Sequence, residues 1–275
     1  MISEYADVPY EDLEYWVAGI NHMAWFLDLE VDGRDVYPDL RAAMDDPESY
    51  ENDVVRFETM AHFGAFITES SHHLSEYLPY FRHTQESIDD LVERSAYDPD
   101  VEDFEYSPVC WMPTAEYFEQ WRAIDPTDAF DLAEMDLSLE RSEEYAAEIV
   151  HSLETGETRR MNLNVPNTNG NGSGGGPLIS NLPDEALVEV PCLVDATGVH
   201  PCSVGDLPPQ LAALNRTNVN VQHLAVRAAV DGDEDALRRA IKLDPLTAAV
   251  CSLEEIDSMV EELLEANAAY LPELS

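Results

Sequence analysis

The densest cluster of reactive side chains lies between Thr68 and Arg82. Two acids, two adjacent histidines and a tyrosine fall within nine positions there: Glu69, His72, His73, Glu76 and Tyr77. If the segment is helical, Glu69, one of the two histidines and either Glu76 or Tyr77 share one face. A carboxylate, an imidazole and a phenol on one face can transfer protons, because each neighbour tunes the pKa of the others. A solvated helix end closed by Pro79 accounts for the same residues, and the sequence leaves both interpretations open.

A second candidate lies in the apolar run from Trp16 to Asp28, which Asn21 and His22 interrupt at its centre. The apolar residues predict a strand that is buried on both faces. A buried amide and a buried imidazole each need a polar partner to offset lost hydration. A neutral imidazole with one free ring nitrogen is a metal ligand. A core histidine bonded to a backbone carbonyl fits the same pattern, and these residues alone favour it.

The charge balance limits the partners of this protein. The sequence has 57 acidic and 14 basic residues, a net charge of −43, and Lys242 is its only lysine. Nucleic acids and anionic membranes are excluded as partners because both need a basic surface. Disorder is one explanation of the charge, but the aromatic residues and the regular apolar spacing count against it. We favour a surface adapted to concentrated salt, where ions screen the mutual repulsion.

The four cysteines are too far apart for a CxxC metal motif. Cys192 and Cys202 flank a proline-rich turn and could approach each other, but in a cytosolic chain we expect free thiols. The sequence starts without a signal-peptide pattern, and no apolar run is long enough to cross a membrane. We therefore expect a soluble, cytoplasmic protein.

The other predicted elements must position the two reactive stretches. A hairpin with its turn at Asp32-Gly33 and a helix within 52–66 separate them. Residues 167–177 have the composition of a flexible loop. A helix over 210–230 carries a polar patch, Asn215 to Gln222, within its apolar side. Further helices are predicted within 85–158 (three or four, the last over 145–153), over 233–242 and from 252, and further strands at 161–166, 187–191 and 192–194.

Several blocks of sequence together resemble the family 4 glycoside hydrolases, most of all the α-galactosidase and α-glucosidase branch. The resemblance covers almost the whole chain. The matching blocks are Gly19-Ile-Asn-His-Met-Ala-Trp25, Thr68-Glu-Ser-Ser-His72, Glu76-Tyr-Leu-Pro-Tyr-Phe81, Asn181-Leu-Pro183, Val188 to Asp195, Gly205 to Asn218 and Leu243-Asp-Pro-Leu-Thr247.

The resemblance implies an α+β fold, with a mixed or antiparallel sheet and helices, like the C-terminal domains of lactate dehydrogenase and of family 4 glycosidases. It implies hydrolysis of α-galactosides or α-glucosides with NAD and Mn²⁺ as cofactors. The sugar is oxidised at C3, loses its C2 proton, eliminates the glycosidic oxygen, takes up water and is reduced again. By the same resemblance His22 is a metal ligand, Asn21 and His72 bind substrate, and Glu69 and Tyr77 lie in the segment that supplies the proton-abstracting group.

The chain also departs from the family pattern. A family member begins with an NAD-binding Rossmann domain, followed by a Cys-His block with a cysteine metal ligand, and neither is recognisable here. We therefore expect residues 1–275 to be the C-terminal catalytic and substrate domain, with a Gly/Asn insert at 167–177. The expected partners are a small-molecule α-glycoside and either further copies of the chain or a separately encoded N-terminal half. A non-catalytic assembly or binding remnant is the alternative, and an oxidoreductase ranks last.

The charge generates the first prediction. The melting temperature should rise by at least about 5 °C between millimolar and molar KCl, because added ions screen the repulsion between carboxylates. Circular dichroism melting curves across a KCl series measure this. A melting temperature that does not change with KCl would contradict a salt-adapted surface.

Overall fold

The computed structural model describes residues 1–96, 145–168, 176–272 and 274. The chain divides into two compact units. The larger unit is described over 1–96, 160–168, 176–193, 199–272 and 274, and the smaller over 145–159 and 194–198. The helices predicted between residues 97 and 144, and the centre of the 167–177 loop, lie outside the described residues.

A sheet with antiparallel pairing organises the described part of the chain. Its strands follow the order β3-β2-β1-β5-β4, and β6 pairs with β5. The pairs β1/β2, β1/β5 and β2/β3 are antiparallel, which confirms the predicted α+β class. The strands are Glu14–Ile20 (β1), Met23–Val31 (β2), Arg34–Asp35 (β3), Arg159–Pro166 (β4), Leu187–Asp195 (β5) and Gly198–Pro201 (β6).

The helices lie close to the predicted positions, and their ends follow the expected capping chemistry. Asp233 accepts a hydrogen bond from the Ala236 N–H at 2.8 Å, and Ser252 forms the predicted capping box with Glu255. In the described ranges the helices are Ile2–Tyr5 (α1), Tyr37–Met44 (α2), Pro47–Asn52 (α3), Val54–Phe63 (α4), Ser71–Tyr77 (α5), Gln85–Glu93 (α6), Ala146–Thr155 (α7), Pro209–Asp231 (α8), Glu234–Leu243 (α9), Pro245–Val250 (α10) and Leu253–Asn267 (α11), with a 3₁₀ turn at Tyr10–Asp12.

The thiols and the membrane prediction can also be compared with the structure. Cys192, Cys202 and Cys251 are free thiols, as predicted. Burial, reinforced by nearby Cys202, raises the pKa of the Cys192 thiol to about 11. Within the described ranges no helix combines the length and the apolar character that a bilayer crossing requires.

The apolar run from Trp16 to Asp28 forms two strands, so the prediction of a single buried strand is wrong. β1 ends at Ile20, β2 begins at Met23, and these two residues pair across a turn made by Asn21 and His22. The polar pair therefore lies at the end of a hairpin, where its groups can be solvated. This placement avoids the cost of burying an amide and an imidazole in the middle of a strand.

Only part of the segment 68–82, whose helical interpretation the sequence left open, is helical. α5 spans Ser71–Tyr77, and Ser70 caps it by accepting a hydrogen bond from the His73 N–H. Leu78 is extended (φ −114°, ψ 141°), because a residue before proline disfavours helical geometry. Glu69 consequently lies in the loop before the helix.

The loop that carries Glu69 is held against β2 and α4. Phe26 and Thr68 donate backbone hydrogen bonds to Phe66 and Ala24, respectively, both at 2.9 Å. The buried Arg56 guanidinium donates two hydrogen bonds to the Ile67 carbonyl, at 3.0 and 3.2 Å. Arg56 also pairs with buried Asp53 at 3.0 Å, so the charge is compensated in the interior.

Gly19 permits the close approach of the two strands at this hairpin. A Cβ atom at Gly19 would lie 2.2 Å from the Met23 carbonyl oxygen and 2.6 Å from the Ala24 Cα. We predict that Gly19→Ala lowers the free energy of unfolding by roughly 1–3 kcal/mol, because backbone atoms have to move apart. Chemical denaturation in molar KCl measures this loss.

The matched control is Gly176→Ala, where an added Cβ would meet no atom within 4 Å. Its free energy of unfolding should stay close to the parent value. Equal losses in the two variants would refute a specific close approach at Gly19.

Candidate functional site

His22 occupies the tip of the β1–β2 hairpin. Its φ of 62° lies in the left-handed region, which is uncommon for a residue other than glycine. The side chain is 41% exposed, so the imidazole is open to solvent and to ligands. This exposure rules out the alternative of a core histidine sealed in the interior.

Glu69 is the hydrogen-bond partner of His22. Its Oε2 contacts His22 Nδ1, and its Oε1 accepts hydrogen bonds from the backbone N–H of Ser70 at 2.8 Å and from the Ser70 hydroxyl at 3.1 Å. Partial burial raises the pKa of the Glu69 carboxyl, but the hydrogen bonds from His22 and Ser70 outweigh it and hold the pKa below its usual value.

This hydrogen bond selects a tautomer of the imidazole. A carboxylate can only accept, so Nδ1 carries the proton, and in the neutral ring Nε2 presents its lone pair. Histidine ligands of metals commonly donate their other N–H to a carboxylate in this way. In this orientation Nε2 is the ring nitrogen that remains available to a ligand. In the described ranges no group of three or more His, Cys, Asp or Glu side chains could hold a metal ion.

The aromatic residues of α5 pack around the same imidazole. The rings of His22 and Tyr77 are stacked, with centroids 5.7 Å apart and planes 14° from parallel. His73 lies 5.7 Å from His22 and 4.7 Å from His72. Of the two adjacent histidines, His73 thus contacts His22, while His72 lies one ring further away. Burial, followed by the charge of His73, lowers the pKa of His72.

Asn21 lies on the other side of the hairpin tip. Its Oδ1 accepts a hydrogen bond of 3.1 Å from Asn164 Nδ2 on β4. Both side chains are exposed, so their remaining polar atoms face solvent. The sequence indicated a strand at 161–166, but nothing in it distinguished Asn164 from Asn162 as a site residue.

Glu189 is a site residue that the sequence reasoning missed. It lies on β5 directly opposite Gly19. Burial raises the pKa of the Glu189 carboxyl from the usual 4.5 to about 7. His22 lowers this pKa and Glu69 raises it, so the three side chains interact electrostatically. A lone acid within the apolar run Leu187–Pro191 was a signal that could have identified it.

The structure therefore brings His22, Glu69, His73 and Tyr77 into one cluster, with Glu189 beside it. Asn21 and His72 lie at its edges. Imidazole, carboxylate and phenol groups converge here from a hairpin, a loop and a helix. The arrangement can orient a cation, bind sugar hydroxyl groups and accept a proton.

A model of the family 4 glycosyl hydrolase C-terminal domain matches residues 17–247. Over 267 residues the chain is 39% identical to the α-galactosidase of Bacillus subtilis (strain 168), covering 97% of this chain and 57% of that protein. Over 266 residues it is 35% identical to the α-galactosidase of Rhizobium meliloti (strain 1021), covering 95% of this chain and 51% of that protein. The chain thus spans about half the length of these curated relatives.

Solved structures share the fold. A 6-phospho-α-glucosidase from gut microorganisms, crystallised with NAD and Mn²⁺, superposes with a TM-score of 0.65. The match covers 100% of this chain and 60% of that one, at 19% sequence identity. At this level of identity the likeness establishes the fold alone.

The pKa of Glu189 generates a prediction for stability. Its folded-state pKa is raised to about 7, so its contribution to stability is complete below pH 4.5 and is lost as the pH rises through 7. We predict that Glu189→Gln raises the melting temperature at pH 8 by roughly 2–6 °C and has little effect near pH 4.5. Thermal melts of both proteins across this pH range measure the difference.

Glu185→Gln is the control, because Glu185 is an exposed acid in the segment that leads into β5. Its difference from the parent protein should vary little with pH. If the melting temperatures of Glu189→Gln and Glu185→Gln agree at every pH, burial imposes no cost on the Glu189 charge.

Proposed function

The chain belongs to the family 4 glycosyl hydrolases, and we propose that residues 1–275 form the C-terminal catalytic and substrate domain of a glycosidase that acts on α-galactosides. The observation that carries the proposal is the cluster of His22, Glu69 and Tyr77, with the imidazole oriented by the carboxylate and stacked on the phenol. α-Glucosides are the second candidate substrate. We assign NAD binding to the part of the relatives that this chain does not span.

Identity with two α-galactosidases, at 39% and 35%, supports an α-galactoside as the substrate. The α-galacturonidase of Lachnoclostridium phytofermentans is 26% identical over 283 residues. Because relatives with different names match nearly the whole chain, the sugar must be selected by a few contacts near the cluster. Asn21 and His72 are suited to this selection, because they bring an amide and an imidazole to its edges.

One nitrogen of the cluster, His22 Nε2, is suited to bind a divalent cation. We propose that His22 holds Mn²⁺ through Nε2, and that Glu69 fixes the ring and its tautomer by accepting from Nδ1. When bound, Mn²⁺ would supply Lewis-acid polarisation of the sugar hydroxyl groups, and NAD would supply the oxidising power for C3. The remaining cation ligands are expected outside the residues that the structure describes.

Tyr77 is the proposed base for the C2 proton. The two oxygens of Glu69 are already engaged by His22 and Ser70, so this carboxylate suits an orienting role better than proton abstraction. Tyr77 lies on the face of the His22 ring, beside the place where the polarised sugar would bind. Its phenol first loses its proton to solvent; the phenolate Oη then takes the proton from C2, and the resulting phenol returns a proton to C2 as water adds at C1.

The test is hydrolysis of a nitrophenyl α-galactoside with NAD, Mn²⁺ and a reductant in molar KCl, with and without the N-terminal domain of a relative. We expect hydrolysis in the mixture and none by the chain alone. In D₂O the released galactose should carry deuterium at C2, because the abstracted proton exchanges with solvent. Tyr77→Phe should lower the rate by roughly 10²–10⁴-fold.

His22→Ala should abolish hydrolysis, whereas the control His223→Ala should leave it unchanged because His223 is an exposed histidine on α8. Hydrolysis without deuterium at C2 would refute the elimination route. A folded mixture that cleaves neither α-galactosides nor α-glucosides would instead support a non-catalytic assembly or binding module.

A further inference from the structure

We propose that Asn215 and Asn218 of α8 are positioning residues that hold the stacked pair of His22 and Tyr77 in place. The two asparagines contact the backbone immediately after His22 and the backbone of Tyr77. The importance of this positioning for catalysis rests on the proposed function. The geometric role itself can be tested without any assay of hydrolysis.

Asn215 fixes the start of β2. It is fully buried, and its Nδ2 donates to the Met23 carbonyl at 2.7 Å, while its Oδ1 accepts from the Trp25 indole N–H at 2.9 Å. Its amide therefore bonds to two of the first three residues of the strand. Because Met23 directly follows His22, this hydrogen bond constrains the backbone one residue beyond the imidazole.

Asn218 connects the hairpin to the end of α5. It lies one turn along α8 from Asn215, on the same face, and is 6% exposed. Its Nδ2 is 3.2 Å from the Met23 sulfur and 3.4 Å from the Tyr77 carbonyl oxygen. That carbonyl belongs to the last turn of α5, where backbone acceptors lack intrahelical partners. One amide thus contacts both elements that carry the stacked rings.

The positions of the hydrogen-bond partners point to more than the filling of space. Asparagine is a poor residue for a helix interior, and burying its amide costs free energy unless its groups find partners. An apolar side chain of similar volume would fill the same space but would remove the hydrogen bonds to the Met23 carbonyl and the Trp25 indole N–H. The partners of both amides lie at the ends of the hairpin and of α5, where a small displacement moves His22 or Tyr77 directly.

The test compares Asn218→Ala with Asn220→Ala, which makes the same change two positions further along the same helix. Asn220 is exposed and accepts a hydrogen bond from Arg216 at 3.0 Å. The first readout is the NMR signal of the His22 ring protons, assigned with His22→Ala. The stacked Tyr77 ring shifts these protons in the parent protein. In Asn218→Ala they should move toward the values of an unstacked histidine, and in Asn220→Ala they should not move.

Asn218→Leu covers the case in which the alanine variant fails to fold, because leucine retains the side-chain volume and removes the N–H donors. It should move the His22 signals as Asn218→Ala does. The inference is overturned if the His22 signals of both Asn218 variants coincide with those of the parent protein, or if Asn220→Ala shifts them equally.

The second readout is the affinity for Mn²⁺ measured by electron paramagnetic resonance on the full chain. We expect Asn218→Ala to weaken binding by roughly 10-fold, which is typical when a residue that orients a ligand is removed, and Asn220→Ala to leave it unchanged. An equal loss in both variants would overturn the inference. If the parent chain alone binds no Mn²⁺, one histidine without the remaining ligands is too weak a site, and the His22 signals decide the positioning role.

Discussion

The strands β1 and β2 approach each other closely beside the turn between Ile20 and Met23, because Gly19 carries no side chain there. This contact places Asn21 and His22 at the tip of the hairpin and fixes the Met23 carbonyl against β1. The same carbonyl accepts a hydrogen bond from Asn215, so the backbone at Met23, one residue beyond His22, is constrained from two sides. The direction of the imidazole therefore depends on backbone packing that is buried beneath an exposed side chain.

Each partner of His22 is held by a separate buried group. The loop that carries Glu69 is fixed by Arg56, which bonds to the Ile67 carbonyl and pairs with Asp53. The end of α5 is contacted by Asn218. These polar groups are satisfied in the interior, so they stabilise one arrangement of the cluster rather than several.

The sequence predicted the types of most described elements because their patterns are local. The capping box of Ser252, the turn at Asp32-Gly33 and the helices over 54–63 and 234–243 all follow from residues close together in the chain. The hairpin at Asn21 was missed because an apolar run looks the same whether it crosses a sheet once or turns back. Recognising the turn requires knowing that Gly19 faces Ala24, which is a tertiary fact.

The candidate site also combines residues that a local pattern identifies with residues that only the tertiary structure brings together. The reactive residues within 69–77 were found as a cluster because they are adjacent in sequence. Helical spacing did not predict that Glu69 lies in a loop, or that His73 is the ring that contacts His22. Glu189, Asn164, Asn215 and Asn218 come from distant strands and a distant helix. Their contribution depends on the order of strands in the sheet, which a local pattern does not contain.

The two glutamates near His22 invite comparison with the carboxylate pair of most glycosidases, where one acid has a raised pKa and the other attacks the anomeric carbon. The raised pKa of Glu189 and the lowered pKa of Glu69 resemble such a pair. A nucleophile, however, needs an oxygen open to the sugar. Glu69 has Oε2 on the His22 ring and Oε1 on Ser70, so attack would first break the hydrogen bonds that lower its pKa. The geometry therefore favours Glu69 as the group that orients an imidazole, which is consistent with our proposal that Tyr77 transfers the proton.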